Sequence, residues 1–304
     1  MDRRQAESLP PYAHENCAER VLVIITVCLF VATIVVSLRF YVRLVIIKKF
    51  GPDDWTLAAA LIVTIGAATV MAVSTKFGLG SHAYLLSTPK MSKFLKLVWI
   101  GSIGYCFSIT LMKAVFLLQY RRIFPLPNFQ RLCNISLGFL VVWAMTGTLG
   151  AMLICLPIER NWDALASTKC VGRMYFWEAY AIIHIITDVL ILVMPLPVLK
   201  TLPLPRVQKW VLLAVFCLGF CTCAISVIRI TTLRSSLMET DVTWTMPTTV
   251  LWSMAEVLCA IICVCIPTLR PLVTRLCGLW RRTFLEANCE RTSTRAWSIA
   301  TCVA

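Results

Sequence analysis

Seven long apolar stretches constrain the fold of this 304-residue chain more than any other feature of its sequence. A helix needs about 20 predominantly apolar residues to cross the hydrocarbon core of a bilayer, and each stretch comes close to that length or exceeds it. Proline, glycine and clustered charges separate the stretches, as they do in loops. The stretches are Val21–Ile47, Trp55–Thr75, Leu97–Gln119, Leu132–Leu153, Tyr175–Met194, Trp210–Leu233 and Thr248–Ile266. We therefore predict an all-α fold that crosses a membrane seven times.

Composition and charge agree with a membrane protein and exclude a soluble one. Hydrophobic residues make up 59% and charged residues 14% of the chain, whereas soluble domains contain roughly 45–50% and about 25%. The net charge of +14 would suggest nucleic-acid binding in a soluble protein, but here it fits basic residues retained on the cytoplasmic side of a membrane. We predict contact with the lipid bilayer of the plasma membrane or an endomembrane, and no binding of nucleic acid.

The distribution of charge predicts how the spans are oriented. Basic residues cluster at positions 39–49, at the end of the first span, whereas acidic residues crowd the segment before that span. Because cytoplasmic loops carry an excess of Lys and Arg, the N-terminus is predicted outside and the C-terminus inside. Residues 76–96 disagree with this orientation, because they contain four lysines in a segment predicted to lie outside. The orientation is kept because the first span usually dominates.

The spans divide the chain into three parts. Residues 1–20 form a predicted exoplasmic segment, residues 21–267 the seven-span domain, and residues 268–304 a cytoplasmic tail. The tail opens with apolar residues at helical spacing among arginines, which is typical of an amphipathic helix lying on an anionic inner leaflet. Cys277 on this helix is a candidate for lipidation.

The cysteines predict one disulfide bond and no metal site. More than half of the 15 cysteines fall inside the spans, where a thiol acts as a small apolar residue. Two C-x-C pairs in the sixth and seventh spans lack the histidines and carboxylates that would complete a metal site. Cys155 and Cys170 flank the loop between the fourth and fifth spans, which is predicted to face the oxidising side. We therefore predict a Cys155–Cys170 disulfide.

Lys113 and Asp188 are charged residues inside the predicted hydrocarbon core, where charges are rare and mark candidate functional sites. Each lies roughly 8–9 Å inside the cytoplasmic boundary of its span, given a rise of about 1.5 Å per residue. Matched depth predicts an ion pair between the third and fifth spans. The pair is either a structural clamp or part of a functional site, and the spacing favours the clamp.

Two further acids lie within spans and are candidate catalytic groups together with Asp188. Glu256 is near the middle of the seventh span and has no predicted partner at its depth, because Arg229 lies about two turns closer to the outside. Such a carboxyl group is expected to be protonated, hydrogen-bonded to a neighbouring helix or exposed to a wet cavity. Glu178, with His184 and Asp188, forms a predicted polar stripe along the fifth span.

Two aspartates and a tryptophan open the second span. Asp53, Asp54 and Trp55 occupy its first turn, where carboxylates interact favourably with the helix dipole. Arg39 and Arg43 are four residues apart, so they share one face of the first span and can meet the aspartates. This pattern predicts an architectural motif rather than a catalytic one.

The loop after the second span combines two glycines with one histidine. Gly78, Gly80 and His82 lie within a short run predicted to face outside. A single loop histidine is weak evidence for a metal, and Gly-x-Gly without a following helix does not indicate phosphate binding. We therefore predict a loop motif, with no metal and no cofactor.

Ordered motifs across all seven spans carry a family resemblance. The most specific run is Thr187–Pro197, which includes Pro195 and Pro197. The others are Gly51–Trp55, Phe77–His82, Lys113, Tyr120–Phe124, Cys155–Pro157, Trp162–Asp163, Cys170, Lys209, Val215–Gly219, Arg229, Trp252–Glu256 and Ile266–Leu272. Through these residues the chain resembles the fungal rhodopsin-like integral membrane proteins, which include the satratoxin-cluster type and are related to fungal pathogenicity-type receptors. The resemblance implies a seven-helix bundle of receptor-like topology. It does not imply retinal, because the seventh span has no lysine for a Schiff base.

Two functions from different classes follow from the residues and the resemblance. The first is a membrane component of a fungal secondary-metabolite, or toxin, biosynthesis pathway that handles or converts a lipophilic intermediate. If it is an enzyme, Asp188, Glu256 or Glu178 would serve as a general acid. The alternative is a G-protein-coupled-receptor-like sensor of an extracellular ligand or surface cue, with a cytoplasmic signalling partner. A transporter ranks third, because the two halves show no internal repeat.

Overall fold

Seven long helices account for most of the chain in the computed structural model, which describes residues 16–155, 157–163, 173–201, 206–239 and 241–269. The helices are α1 Ala18–Tyr41, α2 Pro52–Ser74, α3 Thr88–Ile123, α4 Pro127–Leu153, α5 Arg173–Val193, α6 Arg206–Met238 and α7 Val242–Leu269. All seven are long and apolar enough to cross a membrane, and the described residues contain no strand. The predicted all-α, seven-span fold is confirmed, whereas the orientation of the termini stays a prediction.

Short helical segments extend or connect the long helices. A π-helical turn, Val42–Ile47, continues α1, and it ends at Lys48, which has a positive φ of 54°. Three 3-10 turns and one short helix lie in the connections, at Thr75–Phe77, Ala83–Leu85, Ile158–Asn161 and Leu196–Thr201. Pro195, which is buried, lies between the end of α5 and this short helix, and Pro197 lies within it. The sharp stop of α5 is typical of a proline after a helix.

The helix α3 is longer than the predicted third span. It has 36 residues, which gives a length of about 54 Å against a hydrocarbon core of about 30 Å. The helix starts at Thr88 with proline in its first turn, nine residues before the predicted span begins at Leu97. The lysines at positions 90, 93 and 96 lie on these additional N-terminal turns, where a helix can continue beyond the bilayer.

The helices α3 and α7 are the most enclosed, and the apolar core lies around them. One cluster joins α1, α2, α3 and α7 through side chains such as Val36, Leu57, Ile109 and Val257. Another joins α3, α4 and α5, with Leu117, Phe129 and Ile191 among its members. In contrast, α1 exposes Val23, Val27 and Phe30 by more than half of their surface, as expected of side chains that face lipid. The bundle thus buries α3 and α7 and leaves the polar residues on them inside.

A buried ionic network closes one end of the bundle, which we call the Asp53 end. Arg39 of α1 donates hydrogen bonds to Asp53 at 2.8 Å and to Asp54 at 3.1 Å. The side chains of all three residues are 0–1% exposed. Arg43 contacts the same two aspartates, and Arg122 of α3 donates to Asp53 Oδ1 at 2.9 Å. This network joins the first three helices. The sequence motif indicated the contacts of Arg39 and Arg43 with the aspartates, but not that of Arg122.

Arg39 also ties this network to the rest of the bundle. Its Nη1 donates to the side-chain oxygen of Gln119 on α3 at 3.1 Å and to the backbone oxygen of Val264 on α7 at 2.7 Å. Asp54 lies in the first turn of α2 and caps this helix, because its Oδ2 accepts a hydrogen bond from the backbone N–H of Gly51 at 3.1 Å. One guanidinium group therefore holds four helices together.

The opposite end, which we call the His82 end, is held by the loop between α2 and α3. Gly80 accepts a hydrogen bond from the backbone N–H of Cys17 and donates one to the backbone oxygen of Thr243, both at 3.0 Å. The loop therefore joins the start of α1 to the start of α7. Gly78 and Gly80 have positive φ values of 119° and 92°, which glycine adopts at little steric cost.

Gly80→Ala should destabilise the protein by at least about 1–2 kcal/mol, because a residue with a Cβ is strained at positive φ. The added Cβ would also lie 2.8 Å from the backbone nitrogen of Ala18. We expect a lower melting temperature for the purified variant in detergent.

Gly138→Ala is the matched control, because a Cβ at Gly138 meets nothing within 4 Å and alanine favours helix by about 1 kcal/mol over glycine. Equal melting temperatures for the two variants would contradict the role given to Gly80.

Candidate functional site

A large cavity lies inside the half of the bundle toward the His82 end. Its volume is about 660 Å³, within the range of small-molecule pockets. All helices except α1 contribute to its lining, which is mostly apolar and aromatic. The wall includes Met71, Phe94, Trp99, Trp177, Met246 and Val250. A cavity of this size and lining fits an apolar ligand.

Tyr105 and Arg229 form the polar floor of this cavity. Arg229 Nη1 donates a hydrogen bond to the Tyr105 hydroxyl group at 2.5 Å, and the guanidinium carbon lies 4.2 Å from the centroid of the tyrosine ring. Tyr105 in turn donates to Glu256 Oε2 at 2.5 Å. The floor therefore joins α3, α6 and α7 through polar contacts.

Glu256 is fully buried and has several polar partners among the described residues. Besides Tyr105, it accepts a hydrogen bond from the hydroxyl group of Ser226, and its Oε2 lies 3.5 Å from Arg229 Nη1. The expectation that Glu256 has no charged partner was wrong. Positions along the helices suggested a gap of about two turns, but the long arginine side chain crosses that distance and reaches the carboxylate. Glu256 is therefore ion-paired rather than isolated.

Lys113 and Asp188 lie side by side below this floor. Lys113 Nζ lies 3.2 Å from Asp188 Oδ1, which is within ion-pair distance. The same ammonium group donates hydrogen bonds to the backbone oxygen of His184 at 2.8 Å and to Thr187 Oγ1 at 2.5 Å. The lysine thus ties α3 to α5 through three oxygen atoms, which is the geometry of a clamp.

His184 connects the two ion pairs. Its Nδ1 lies 3.0 Å from Asp188 Oδ2 and 3.8 Å from Glu256 Oε1. At the shorter distance the atoms are not aligned for a hydrogen bond, and His184 Nε2 is likewise buried without a hydrogen bond to any described residue. The eight connected residues are called the central polar network below: Tyr105, Lys113, His184, Thr187, Asp188, Ser226, Arg229 and Glu256.

The central polar network separates two cavities. A smaller one, of about 40 Å³, lies on its other side and is lined by Lys113, Asp188 and Glu256. It has room for water. The network contains two cations and two carboxylates, so its formal charges cancel when His184 is neutral. Buried charges are tolerated when they are paired and hydrogen-bonded in this way.

Three members of the network could in principle hold a metal ion. His184, Asp188 and Glu256 offer ligand atoms that all lie within 4.8 Å of one another. However, Lys113 and Arg229 already balance the two carboxylates. A metal ion would have to displace both cations from these carboxylates. The residues as arranged do not favour a metal site.

Glu178 lies apart from the network. Its side chain is 30% exposed and lies 3.6 Å from Arg234, which is itself 57% exposed. Of the polar stripe predicted on α5, the structure brings only His184 and Asp188 together with Lys113 and Glu256. A half-exposed surface pair of this kind contributes little to stability.

His82 anchors the loop over the start of α7. Its Nδ1 lies 2.6 Å from Asp241 Oδ2, and its ring stacks on Trp244 at 4.3 Å and on Tyr84 at 5.2 Å. Burial raises the pKa of Asp241, but hydrogen bonds from His82 and the backbone N–H of Ala83 outweigh it and hold the pKa below its usual value. Asp241 and Trp244 were missed from the sequence, where an Asp-x-x-Trp run at a helix start was the available signal.

The remaining predicted residues lie mostly at the margins of the described chain. Cys155 is buried and disulfide-bonded, whereas its predicted partner Cys170 lies outside the described residues. Cys277 and nearly all of segment 268–304 also lie outside them, as does most of segment 1–20. Trp55 lies in the first turn of α2 and is 71% exposed. The disulfide pairing and the lipidation site therefore stay predictions.

The comparison with protein families decides the membership of this chain. The model of the fungal rhodopsin domain matches residues 38–275, which include the whole central polar network. The chain belongs to this family. The fungal rhodopsin domain thus covers α2 to α7 and the end of α1, and the resemblance carried by the sequence motifs is confirmed.

Relatives in this family include proteins of biosynthesis clusters and a receptor. The chain is 27% identical over 279 residues, 86% of its length and 76% of the relative, to the polyenoic acids biosynthesis gene cluster protein Ba17b of Metarhizium anisopliae. It is 26% identical to the Fugralins biosynthesis cluster protein 2 of Gibberella zeae, over 90% of this chain and 68% of that one. It is 23% identical to Receptor GIN3 of Arthrobotrys oligospora, over 87% and 64%. No solved structure matches the chain.

Proposed function

We propose that this fungal rhodopsin domain protein is a membrane component of a secondary-metabolite biosynthesis pathway, and that it holds a lipophilic intermediate in the large cavity. The single observation that carries the proposal is the cavity of about 660 Å³ with its apolar and aromatic wall. The names of two relatives, both proteins of biosynthesis clusters, support the setting. A membrane-embedded pocket is a physical means of keeping an apolar compound out of water.

The chemistry of the acids favours holding over conversion. A general acid must carry a proton in the ground state. Glu256 is paired with Arg229 and accepts two hydrogen bonds, and Asp188 is paired with Lys113. Both carboxylates are thus already engaged by cations of the protein. Glu178, the third candidate, lies at the surface beside Arg234. These contacts support a binding role for the protein.

Filling the cavity tests the proposal. A strain lacking the gene should lose or change one family of secondary metabolites, and wild-type protein should restore it. Ser102→Trp places a large ring in the cavity that Ser102 lines, so we expect at least a tenfold lower metabolite yield at normal protein abundance. Val141→Trp, at a 65% exposed position of α4, is the control and should leave the yield unchanged. An unchanged metabolite profile in the deletion strain would overturn the proposal.

A receptor is the second candidate function. The similarity to Receptor GIN3 favours it, as does the direct contact of the cavity floor with a network that joins four helices. A ligand could in this way act on helices that reach the other end, where a cytoplasmic signalling partner would bind in the predicted orientation. However, Gln119 and Tyr120, near the C-terminal end of α3, are buried, 4% and 8% exposed. They therefore offer little surface to a cytoplasmic partner at this end. Altered surface responses with an unchanged metabolite profile in the deletion strain would favour the receptor.

A further inference from the structure

The guanidinium group of Arg229 carries free hydrogen-bond donors at the bottom of the large cavity. The side chain is 6% exposed and lines the cavity. Its hydrogen bond to Tyr105 uses Nη1, and neither Nε nor Nη2 donates to any residue that the structure describes. Arginine presents its N–H groups in a planar fork that binds carboxylates at two points. A buried cation with unused donors therefore faces the space where a ligand would lie.

Other polar groups on the wall are already satisfied. Ser102 and Ser253 donate to backbone oxygens of their own helices at 2.8 Å. Trp99 Nε1 donates to the backbone oxygen of Ala151 at 3.0 Å. These three groups offer a ligand little beyond contact surface. The floor and the wall thus differ in chemistry, because the floor offers donors and positive charge while the wall is apolar.

Glu256 does not occupy the donors of Arg229. Its carboxylate accepts hydrogen bonds from Tyr105 and Ser226, and its contact with Arg229 is an ion pair at 3.5 Å to the same Nη1. The other edge of the guanidinium group, formed by Nε and Nη2, stays available. A second anion can therefore share this cation without displacing Glu256.

The other end of the cavity carries the opposite charge. Glu239, which follows the last residue of α6, lines the cavity and is exposed. It is ten residues beyond Arg229, which corresponds to about 15 Å along a helix. An anionic ligand is repelled at Glu239 and attracted at Arg229. This asymmetry orients such a ligand with its charged group at the floor and its chain toward the His82 end.

We infer that the cavity selects lipophilic acids, and that Arg229 binds their carboxylate while the apolar wall holds a chain of medium length. This inference rests on the proposed cavity function and adds the chemical class of the ligand. It requires no covalent step, since the acid binds and leaves unchanged.

Calorimetric titration of the full chain in lipid nanodiscs tests the inference, with dodecanoic acid and its methyl ester as probes and empty nanodiscs as the blank. We expect the acid to bind at least about tenfold more tightly than the ester, because hydrogen bonds to charged groups are worth more than neutral ones. Arg229→Lys keeps the charge but loses the fork, so it should reduce this preference. Arg234→Lys, on the exposed part of the same helix, should not.

The outcomes separate this inference from the proposed function. Equal affinities of wild type for acid and ester, both abolished by Ser102→Trp, would overturn selection of acids and leave cavity binding intact. Acid binding that Arg229→Lys leaves unchanged would overturn the role of Arg229. Absence of saturable binding of both probes would overturn cavity binding and this inference together. Melting curves of each variant in detergent exclude misfolding as the cause.

Discussion

Arg39→Met is expected to remove most of the folded protein from detergent extracts. The methionine leaves Asp53 and Asp54, 1% and 0% exposed, with Arg43 and Arg122 as their remaining charged partners among the described residues. Breaking a buried pair on one side costs about 3–5 kcal/mol, and the whole stability of a domain is about 5–15 kcal/mol. The variant also loses the bonds to Gln119 and Val264. Fluorescence-detected size-exclusion chromatography would measure the remaining monodisperse peak.

A second substitution distinguishes lost charge balance from lost packing. In Arg39→Met, Asp54 loses its shortest ion pair and keeps only the longer contacts to Arg43 at 3.5 Å and Arg122 at 3.7 Å. Adding Asp54→Asn removes this weakly paired carboxylate, so the double variant should recover part of the peak. Arg131→Met, at an exposed position on α4, is the control and should behave like wild type. If Arg39→Met keeps a full monodisperse peak, the network is not what holds this end together.

Lys113→Met and Asp188→Asn should each lower stability strongly, and the double variant should be closer to wild type. Each single change leaves one buried charge without its partner, at an expected cost of about 3–5 kcal/mol. Removing both leaves no uncompensated charge, so the effects should not add. Melting temperatures of the four proteins in one detergent measure the coupling between the two residues.

The same variants separate a clamp from a catalyst. Loss of a metabolite with Asp188→Asn at normal abundance and melting temperature would assign Asp188 a chemical role and contradict the clamp. Glu178→Gln, at the surface pair with Arg234, is the control and should leave both abundance and metabolite yield unchanged.

The length of the apolar stretches predicted the seven helices, because the number of residues needed to cross a bilayer depends only on its thickness and on the local sequence. The ends of the helices were less predictable. The first turns of α3 carry lysines, so hydropathy does not assign these turns to a span. A helix can nevertheless extend beyond the bilayer, because its backbone hydrogen bonds are satisfied within the helix. Thr88 and not Leu97 is therefore its first residue.

Depth along the helices predicted one contact of the central polar network and missed another. Lys113 and Asp188 lie at matched depth, and the structure places them 3.2 Å apart. Arg229 and Glu256 do not lie at matched depth, so this contact was missed. They meet because the reach of an arginine side chain is comparable to the offset between the two positions. The contact of His82 with Asp241 joins positions 159 residues apart, and such contacts depend on the packing of the whole bundle.

The central polar network has a consequence for how the chain is made. In the network at the Asp53 end, Asp54 is synthesised only 15 residues after its partner Arg39. The partners in the central polar network are much further apart in the sequence. Arg229, the partner of Tyr105, follows it by 124 residues, and His184, the first partner of Lys113 on α5, follows the lysine by 71 residues. A lone charge at the centre of an inserted helix costs about 2.5–3.5 kcal/mol. The helix α3 is therefore less stable in the bilayer by itself than in the assembled bundle, where Lys113 has its partners on α5.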